Sequence, residues 1–422
     1  MRKANSVAKV AITAGLAFGL IAAGASTAQA DPSASGRTYQ MAGSDTIQGV
    51  GNGLTNGYTV GSTTVSAFAP NIGSWDAFGS ATITPKTGSM FTRPAGSGDG
   101  VKALSASWNT AAGKDTWTDA NGVVSPSLQP SGTHALDFAR SSSKPSTPVN
   151  PGLSTDKLTW VPLARDAVSV AFQSAGVSGI SISNLDTADL TFLYSGTGSR
   201  TSTALGGTIT RSTVNASDPT DPANDPVITV GSTSVSVHPV LPTQSSGTRT
   251  FFIGAIGVTT ATTGSWVRQG VQENTATEIN ASGEIAPFSA AQWIQQKNGV
   301  SGTTNTFTGS NASSLNLLSL NTLAPTAGSG SSLTPGALFG DATVVPGTTT
   351  DQTLSPVFAR DVFTVVPTAN YNNDVAVKNR VDSLRSATRS STSSVKIVAD
   401  YGFKPLAYTA AGAGVFHANF TN

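Results

Sequence analysis

The chain has 422 residues, with 24 Lys and Arg against 23 Asp and Glu, a formal net charge of +1, 11% charged residues and no cysteine. A near-neutral chain without a basic stripe does not neutralise a nucleic-acid backbone, and the lack of cysteine excludes disulfide scaffolds, thiolate zinc sites, iron–sulfur clusters and thiol nucleophiles. An apolar share of 38% still supplies, at this length, a core for two lobes of roughly 150 residues or more.

In chain order, Arg2, Lys3 and Lys9 form a basic start, residues 10–23 are apolar, and Ala28-Gln29-Ala30 has the small-x-small form of a processing site. An apolar run of about 14 residues is shorter than the roughly 20 that span a bilayer. Residues 1–30 therefore read as a signal peptide cleaved before Asp31. No cysteine follows, so secretion without a lipid anchor is expected. Residues 31–36 are a polar leader, and 37–160 alternate short apolar runs with Gly/Ser/Pro loops. Residues 158–172 form a long apolar run interrupted by Arg165 and Asp166, which predicts a buried strand. A second such run covers 357–367, and both contain Ala-Arg-Asp. Two buried strands bracketing one inserted block predict two crossings between two lobes, with 31–168 and 366–422 as lobe 1 and 169–365 as lobe 2. Helical patterns occur at 187–194, 289–297 and 370–387. The Thr/Ser/Gly/Pro-rich segments 198–236 and 300–350 predict hairpins and long loops.

The sequence holds no G-x-S-x-G elbow, Walker loop or H-E-x-x-H, and His134, His238 and His417 are far apart. Nothing marks a Ser-His-Asp triad, and neither enzyme activity, a cofactor nor a metal site is expected. What stands out is three small-residue loops ahead of helix starts, residues 42–48 (AGSDTIQ), 93–102 (RPAGSGDGVK) and 242–251 (PTQSSGTRTF). Helix N-termini present unpaired N–H groups and a positive dipole end, and small hydroxyl residues let an anion approach. Each loop alone serves equally as a turn or a cap.

Together with Phe138-Ala139-Arg140-Ser141-Ser142, Val161-Pro162-Leu163-Ala164-Arg165-Asp166, Leu190-Thr191-Phe192-Leu193-Tyr194-Ser195-Gly196, Ile285-Ala286-Pro287-Phe288-Ser289 and Gly402-Phe403-Lys404-Pro405, these loops resemble, in order over about 40–408, the phosphate-specific substrate-binding proteins of ABC transporters, most of all their actinobacterial branch. The resemblance implies an α/β, two-lobed type II periplasmic-binding-protein fold, each lobe a mixed sheet flanked by helices, with Thr/Ser-rich hairpin and loop insertions. It implies a monomer that binds inorganic phosphate in the cleft for an ABC permease. Carried across by motif, the phosphate ligands are Ser44, Asp45 and Thr46, then Ser97, then Ser246, Gly247 and Thr248. Two positions depart from the family. Arg140-Ser141 stands where many members have an aspartate, and Pro242 stands where they have an arginine.

A buried dianion needs a cation, because an unpaired buried charge costs several kcal/mol. Arg140, beside Ser141, is the first candidate for a bidentate contact and Arg249 the second. Arg93 and Arg165 read as salt-bridge residues. A carboxylate facing the ligand would accept the proton of hydrogen phosphate and repel sulfate. Asp45 either fills that role or caps a turn, with Asp99 in reserve. Trp160 and Phe363 read as hinge packing. The alternatives are a secreted structural or adhesive protein that keeps the fold without a ligand, and a binder of another tetrahedral oxyanion.

Overall fold

Two strands organise the chain, and both are the apolar runs of the sequence. The structure, a computed structural model, describes residues 31–32, 37–86, 88–215, 218, 221–309, 313–344, 356–387, 393–408 and 413–422. The expected signal peptide at 1–30, and parts of the 31–36, 198–236 and 300–350 segments, lie outside the described residues. The elements that position the site are β1 (Tyr39–Gly43), α1 (Gln48–Asn56), β2 (Ile72–Ser74), α2 (Ser97–Trp108), β3 (Phe138–Ser141), β4 (Leu158–Gln173), α3 (Thr187–Ser195), β5 (His238–Pro242), α4 (Gly247–Ala255), β6 (Arg268–Val271), β7 (Glu284–Ser289), α5 (Ala290–Lys297), β8 (Leu315–Leu317), β9 (Ala359–Pro367), α6 (Thr368–Asn373), α7 (Val375–Ala387), α8 (Ser393–Asp400) and β10 (Phe416–Ala418).

All 16 residues of β4 are buried, which is why its sequence lacks the apolar/polar alternation of a strand with one wet face. One mixed sheet runs β6-β5-β7-β4-β9-β3-β1-β2, with β8 and β10 also pairing with β4. Each end of this sheet is a parallel trio: β1 with β2 and β3, and β5 with β6 and β7. The joins through β9 and β4 are antiparallel. β4 pairs with β9 along 158–167 and with β7 along 168–172, so one strand serves both halves of the molecule.

Apolar clusters lie on either side of these crossings. One packs Phe172, Leu190, Tyr194, Leu241, Phe252 and Phe339 in the second half. The first half has two, one around Val50, Phe138, Val362 and Tyr401, the other around Leu104, Trp160, Phe363 and Val365. Trp160 and Phe363 thus pack in one apolar cluster. Outside the main sheet, four strands between 198 and 236 form an antiparallel meander, in the segment expected to fold as hairpins.

The expected helices at 187–194 and 289–297 form as α3 and α5. Each starts at a side-chain cap: Asp186 in a capping box with Asp189, and Ser289 accepting from the Gln292 N–H. The expected helix at 370–387 is instead two, α6 and α7. The Asp374 carboxylate between them accepts from the N–H groups of Ala376 and Val377, starting a new helix where one continuous pattern was read. Among the described residues no helix is long and apolar enough to cross a membrane.

Candidate functional site

In a parallel α/β sheet the loops beyond the carboxyl ends of the strands form a crevice. Here both trios aim those ends at one seam. Ser44 to Thr46 follow β1, Ser142 follows β3, Ser245 to Thr248 follow β5, Glu273 and Asn274 follow β6, and Ser289 ends β7.

The seam is anchored by the repeated Ala-Arg-Asp. Because β4 and β9 are antiparallel, Arg360 lies opposite Asp166, and Asp361 opposite Arg165. Successive side chains leave a strand on opposite faces, so the two ion pairs form on the two faces of the sheet. On one face Arg165 Nε meets Asp361 Oδ1 at 2.5 Å. On the other, Arg360 Nε and Nη2 donate to Asp166 Oδ2 at 3.0 and 2.8 Å. Asp166 Oδ1 accepts from Ser289 Oγ at 2.9 Å and the Ala291 N–H at 3.1 Å. A guanidinium held this rigidly points its remaining N–H groups in fixed directions.

Those directions lead to the loops. Arg360 Nη2 also lies 3.0 Å from Thr248 Oγ1 and 3.4 Å from Thr46 Oγ1, and the two threonine hydroxyls are 3.2 Å apart across the seam. Asn274 Nδ2 donates to Asp45 Oδ2 at 3.1 Å and to Thr46 Oγ1 at 3.3 Å. Gln292 Nε2 holds the first loop by donating to the carbonyls of Asp45 and Thr46 at 2.9 and 2.8 Å. On the neighbouring flank Ser97 Oγ and Ser142 Oγ are 3.0 Å apart, and the Ser142 N–H donates to Ser97 Oγ at 2.9 Å. The backbone of Gly247 lies against both: a Cβ there would fall 2.3 Å from Ser142 Oγ and 2.5 Å from Ser97 Oγ. The Gly98 N–H donates to the Ser245 carbonyl at 3.3 Å, so the second and third loops touch directly.

Thr46, Ser97, Gly247 and Thr248, all named from the sequence, therefore meet in one place. Other candidates stand elsewhere. Arg140 is buried behind the first loop, donating to the carbonyls of Ser44 at 3.1 Å, Gly43 at 3.2 Å and Trp75 at 2.6 Å, and to Ser74 Oγ at 2.9 Å. It braces that loop, and burial lowers its pKa to about 10. The neighbouring Ser141 turns its hydroxyl to the Ser143 carbonyl at 2.6 Å, leaving Ser142 to face Ser97. Arg249 donates to the Pro242 carbonyl at 2.8 Å and to Gln269 Oε1 at 2.7 Å. Arg93 pairs with Asp31, a loop salt bridge as expected. Asp99, in the first turn of α2, is held by Ser245 across the seam. Ser246 is the N-cap of α4, accepting from the Arg249 N–H at 3.0 Å, and its hydroxyl donates to Glu273 Oε2.

Sequence reasoning missed Arg360, Glu273, Asn274 and Ser142. Glu273 Oε2 also accepts from the Thr248 N–H at 3.2 Å, so a carboxylate sits on the positive end of α4. Asp45 and Glu273 face each other through the seam. Burial, then the charge of Glu273 and their mutual hydrogen bond, push the Asp45 carboxyl well above the usual range. No side chain caps α1, so Asp45 has no capping role there.

The seam also gathers buried polar atoms that receive nothing from the protein. Ser44 Oγ and Arg360 Nη1 have no hydrogen-bond partner, although their residues are 0% and 2% exposed, while the buried carboxyls of Asp45 and Glu273 meet each other. One of the two is a hydroxyl and the other a cationic N–H. Groups of this kind are costly to bury unpaired. A cavity of about 620 Å³ opens beside Arg360, lined by Ser142, Phe251, Arg360, Phe363 and Phe416 among others. The three histidines stand apart: His134 stacks on Trp108, His238 pairs with Asp225 and His417 with Asp156.

No family model matches the chain, and no curated protein matches it. Among solved structures it is similar to an ABC-type phosphate transport receptor from Vibrio cholerae, at 13% identity and TM-score 0.41 over 87% of this chain and 99% of that one. It is also similar to a possible phosphate binding protein from Planctomyces limnophilus, at 11% identity and TM-score 0.36 over 87% and 93%. Likeness at this level carries no function across, and the functional reading rests on the seam itself.

Proposed function

We propose that the protein is a binding protein that captures inorganic phosphate, a tetrahedral oxyanion, between its two halves and releases it to an ABC permease. The supporting observation is the meeting of two unpartnered buried donors, Ser44 Oγ and Arg360 Nη1, where hydroxyls from both halves converge. Ionised tetrahedral oxygens accept from both. Arg360 is the cation, already oriented by Asp166. Thr46, Ser97, Ser142 and Thr248 add hydroxyls, and the N-terminal turn of α4 adds N–H groups.

With Thr46 and Thr248 in direct contact, the seam must part to admit an ion. The only covalent path for that motion in the proposed lobe boundaries, 31–168 with 366–422 and 169–365, runs through β4 and β9. Lobe closure then returns the loops to the ion and excludes water. The reading is one of capture, with no bond made or broken. The signal peptide at 1–30, secretion, a monomeric state and affinity to the actinobacterial branch belong to the same proposal and rest on the sequence.

Calorimetric titration of the protein from Asp31 onward with phosphate, sulfate and molybdate tests it. Phosphate heat that disappears in Thr248→Val with Ser142→Ala supports capture at this seam. No heat with any of the three ions favours a structural protein on the same fold, and tighter binding of molybdate or sulfate reassigns the ion.

A further inference from the structure

Two residues of the seam belong to a second feature as well. Ser142 meets Ser97 Oγ in the hydroxyl cluster and Arg360 holds an unpartnered Nη1, and both also stand on the wall of the cavity of about 620 Å³. The rest of that wall is mostly apolar, with Phe251 and Gly254 on α4, Phe363 on β9 and Phe416 on β10. We infer that the seam takes organic tetrahedral oxyanions, phosphate monoesters or phosphonates, whose ionised oxygens lie on Arg360 and the loop hydroxyls and whose fourth position carries an aromatic group into this cavity. The inference rests on the capture reading of the same seam and extends it from the bare ion to a substituted one.

Size and chemistry both argue for the substituent. A bare tetrahedral ion fills a small part of this space, which falls in the range of pockets for small organic molecules, roughly 300–1,000 Å³. Apolar walls offer a charged oxygen no bond in exchange for its water, so the ionised head belongs at the seam and an uncharged group in the cavity. The walls suit a flat ring. Phe363 and Phe416 meet edge to face with their centroids 5.9 Å apart, and the Phe251 ring centroid lies 5.5 Å from Arg360 Cζ, so aromatic surface begins where the cation ends. The charge on the wall agrees. Arg360 and Lys144 are its cations, and among the described residues its one carboxylate, Asp361, is already paired with Arg165. Gly254 keeps the α4 side of the wall open, with no atom within 4 Å of where its Cβ would stand.

The test is calorimetry with inorganic phosphate, methylphosphonate, phenylphosphonate and benzoate. Wild type is expected to bind phenylphosphonate roughly tenfold or more tighter than methylphosphonate, the difference being burial of the ring. Benzoate, which carries the same ring on a planar head, should bind at least roughly tenfold more weakly than phenylphosphonate. Gly254→Phe narrows the cavity without displacing a neighbour, so the two phosphonates should then bind within about threefold of one another while inorganic phosphate stays within about threefold of wild type. Phe416→Ala removes part of the apolar wall and should weaken phenylphosphonate by about threefold or more with phosphate unchanged. Wild type that binds the two phosphonates equally, or benzoate as tightly as phenylphosphonate, overturns the inference, as does a Gly254→Phe protein that keeps the full preference; phosphate binding in those cases leaves capture standing. Silence with phosphate and both phosphonates overturns the capture reading itself.

Discussion

Gly247→Ala isolates closure from folding. The first turn of α4 has no room for a side chain: the new Cβ would stand 2.3 Å from Ser142 Oγ, 2.5 Å from Ser97 Oγ and 3.1 Å from Ser97 Cβ. To relieve it, both hydroxyls must rotate away, giving up the Ser97–Ser142 contact and the bond from the Ser142 N–H. Two hydrogen bonds at about 1 kcal/mol each and an overpacking cost of about 1–3 kcal/mol place the penalty near 3–5 kcal/mol. In the lobe motion proposed above that penalty falls only on the closed arrangement, because Ser97 and Ser142 lie in the proposed lobe 1 and Gly247 in the proposed lobe 2. Phosphate affinity should therefore fall by roughly two to four orders of magnitude. Thermal stability of the open protein should hold or rise slightly, since Ala favours a helix over Gly by up to about 1 kcal/mol. Gly254→Ala is the control: it lies in the same helix with open space around its Cβ position, so affinity should not change. Calorimetry gives the affinity and small-angle scattering reports closure. Gly247→Ala protein that binds phosphate within about threefold of wild type would refute the reasoning.

Two further outcomes follow from the buried charges. Arg360→Met leaves Asp166 Oδ2 without its donors and should cost about 3–5 kcal/mol in urea unfolding, with much of the loss recovered by adding Asp166→Asn; a single variant as stable as wild type contradicts the pairing. Asp45 has a folded pKa above its unfolded one, so its stabilising contribution is full below the ordinary carboxyl range and is lost as pH rises through the raised value. Asp45→Asn keeps a hydrogen toward Glu273 at every pH, so the ligand-free variant should melt above wild type at neutral pH, with an advantage that shrinks on acidification; a constant or reversed difference argues against the shared proton.

The sequence was legible where a pattern is local. Residues 158–172 and 357–367 read as buried strands because apolar runs persist through both faces, and α3 and α5, whose starts carry the caps Asp186 and Ser289, read as helices. No helical pattern was read over α1 itself, although a helix start was expected behind the first loop. Its QGVGNGLTN sequence has low helix propensity, and Gly53 is there because Tyr401 lies against it, with a Cβ position 2.5 Å from the ring. For the site, three loops could be found from small-residue composition, yet the cation could not be chosen. Arg140 and Arg360 both follow Ala in an apolar strand, and what separates them is which neighbouring strand stands opposite. A usable signal was present, since a charged residue inside a strand buried on both faces needs a buried partner, and the second Ala-Arg-Asp supplies it. Glu273 and Asn274 sit in an unremarkable polar stretch, and their role depends on where β6 ends.

The strand Ala359–Pro367 fills the slot between Phe138–Ser141 and Leu158–Gln173. It leaves the ribosome roughly 190 residues after Gln173, an interval of about 10–40 s at synthesis rates of roughly 5–20 residues per second. Throughout that interval the N-terminal portion has two strand edges with no mate, the kind of surface that recruits wrong neighbours. A nascent chain of this design cannot mature piece by piece. Its early segments have to be kept apart, by slow collapse or by a holding chaperone, until about the last seventh of the polypeptide arrives to close the sheet.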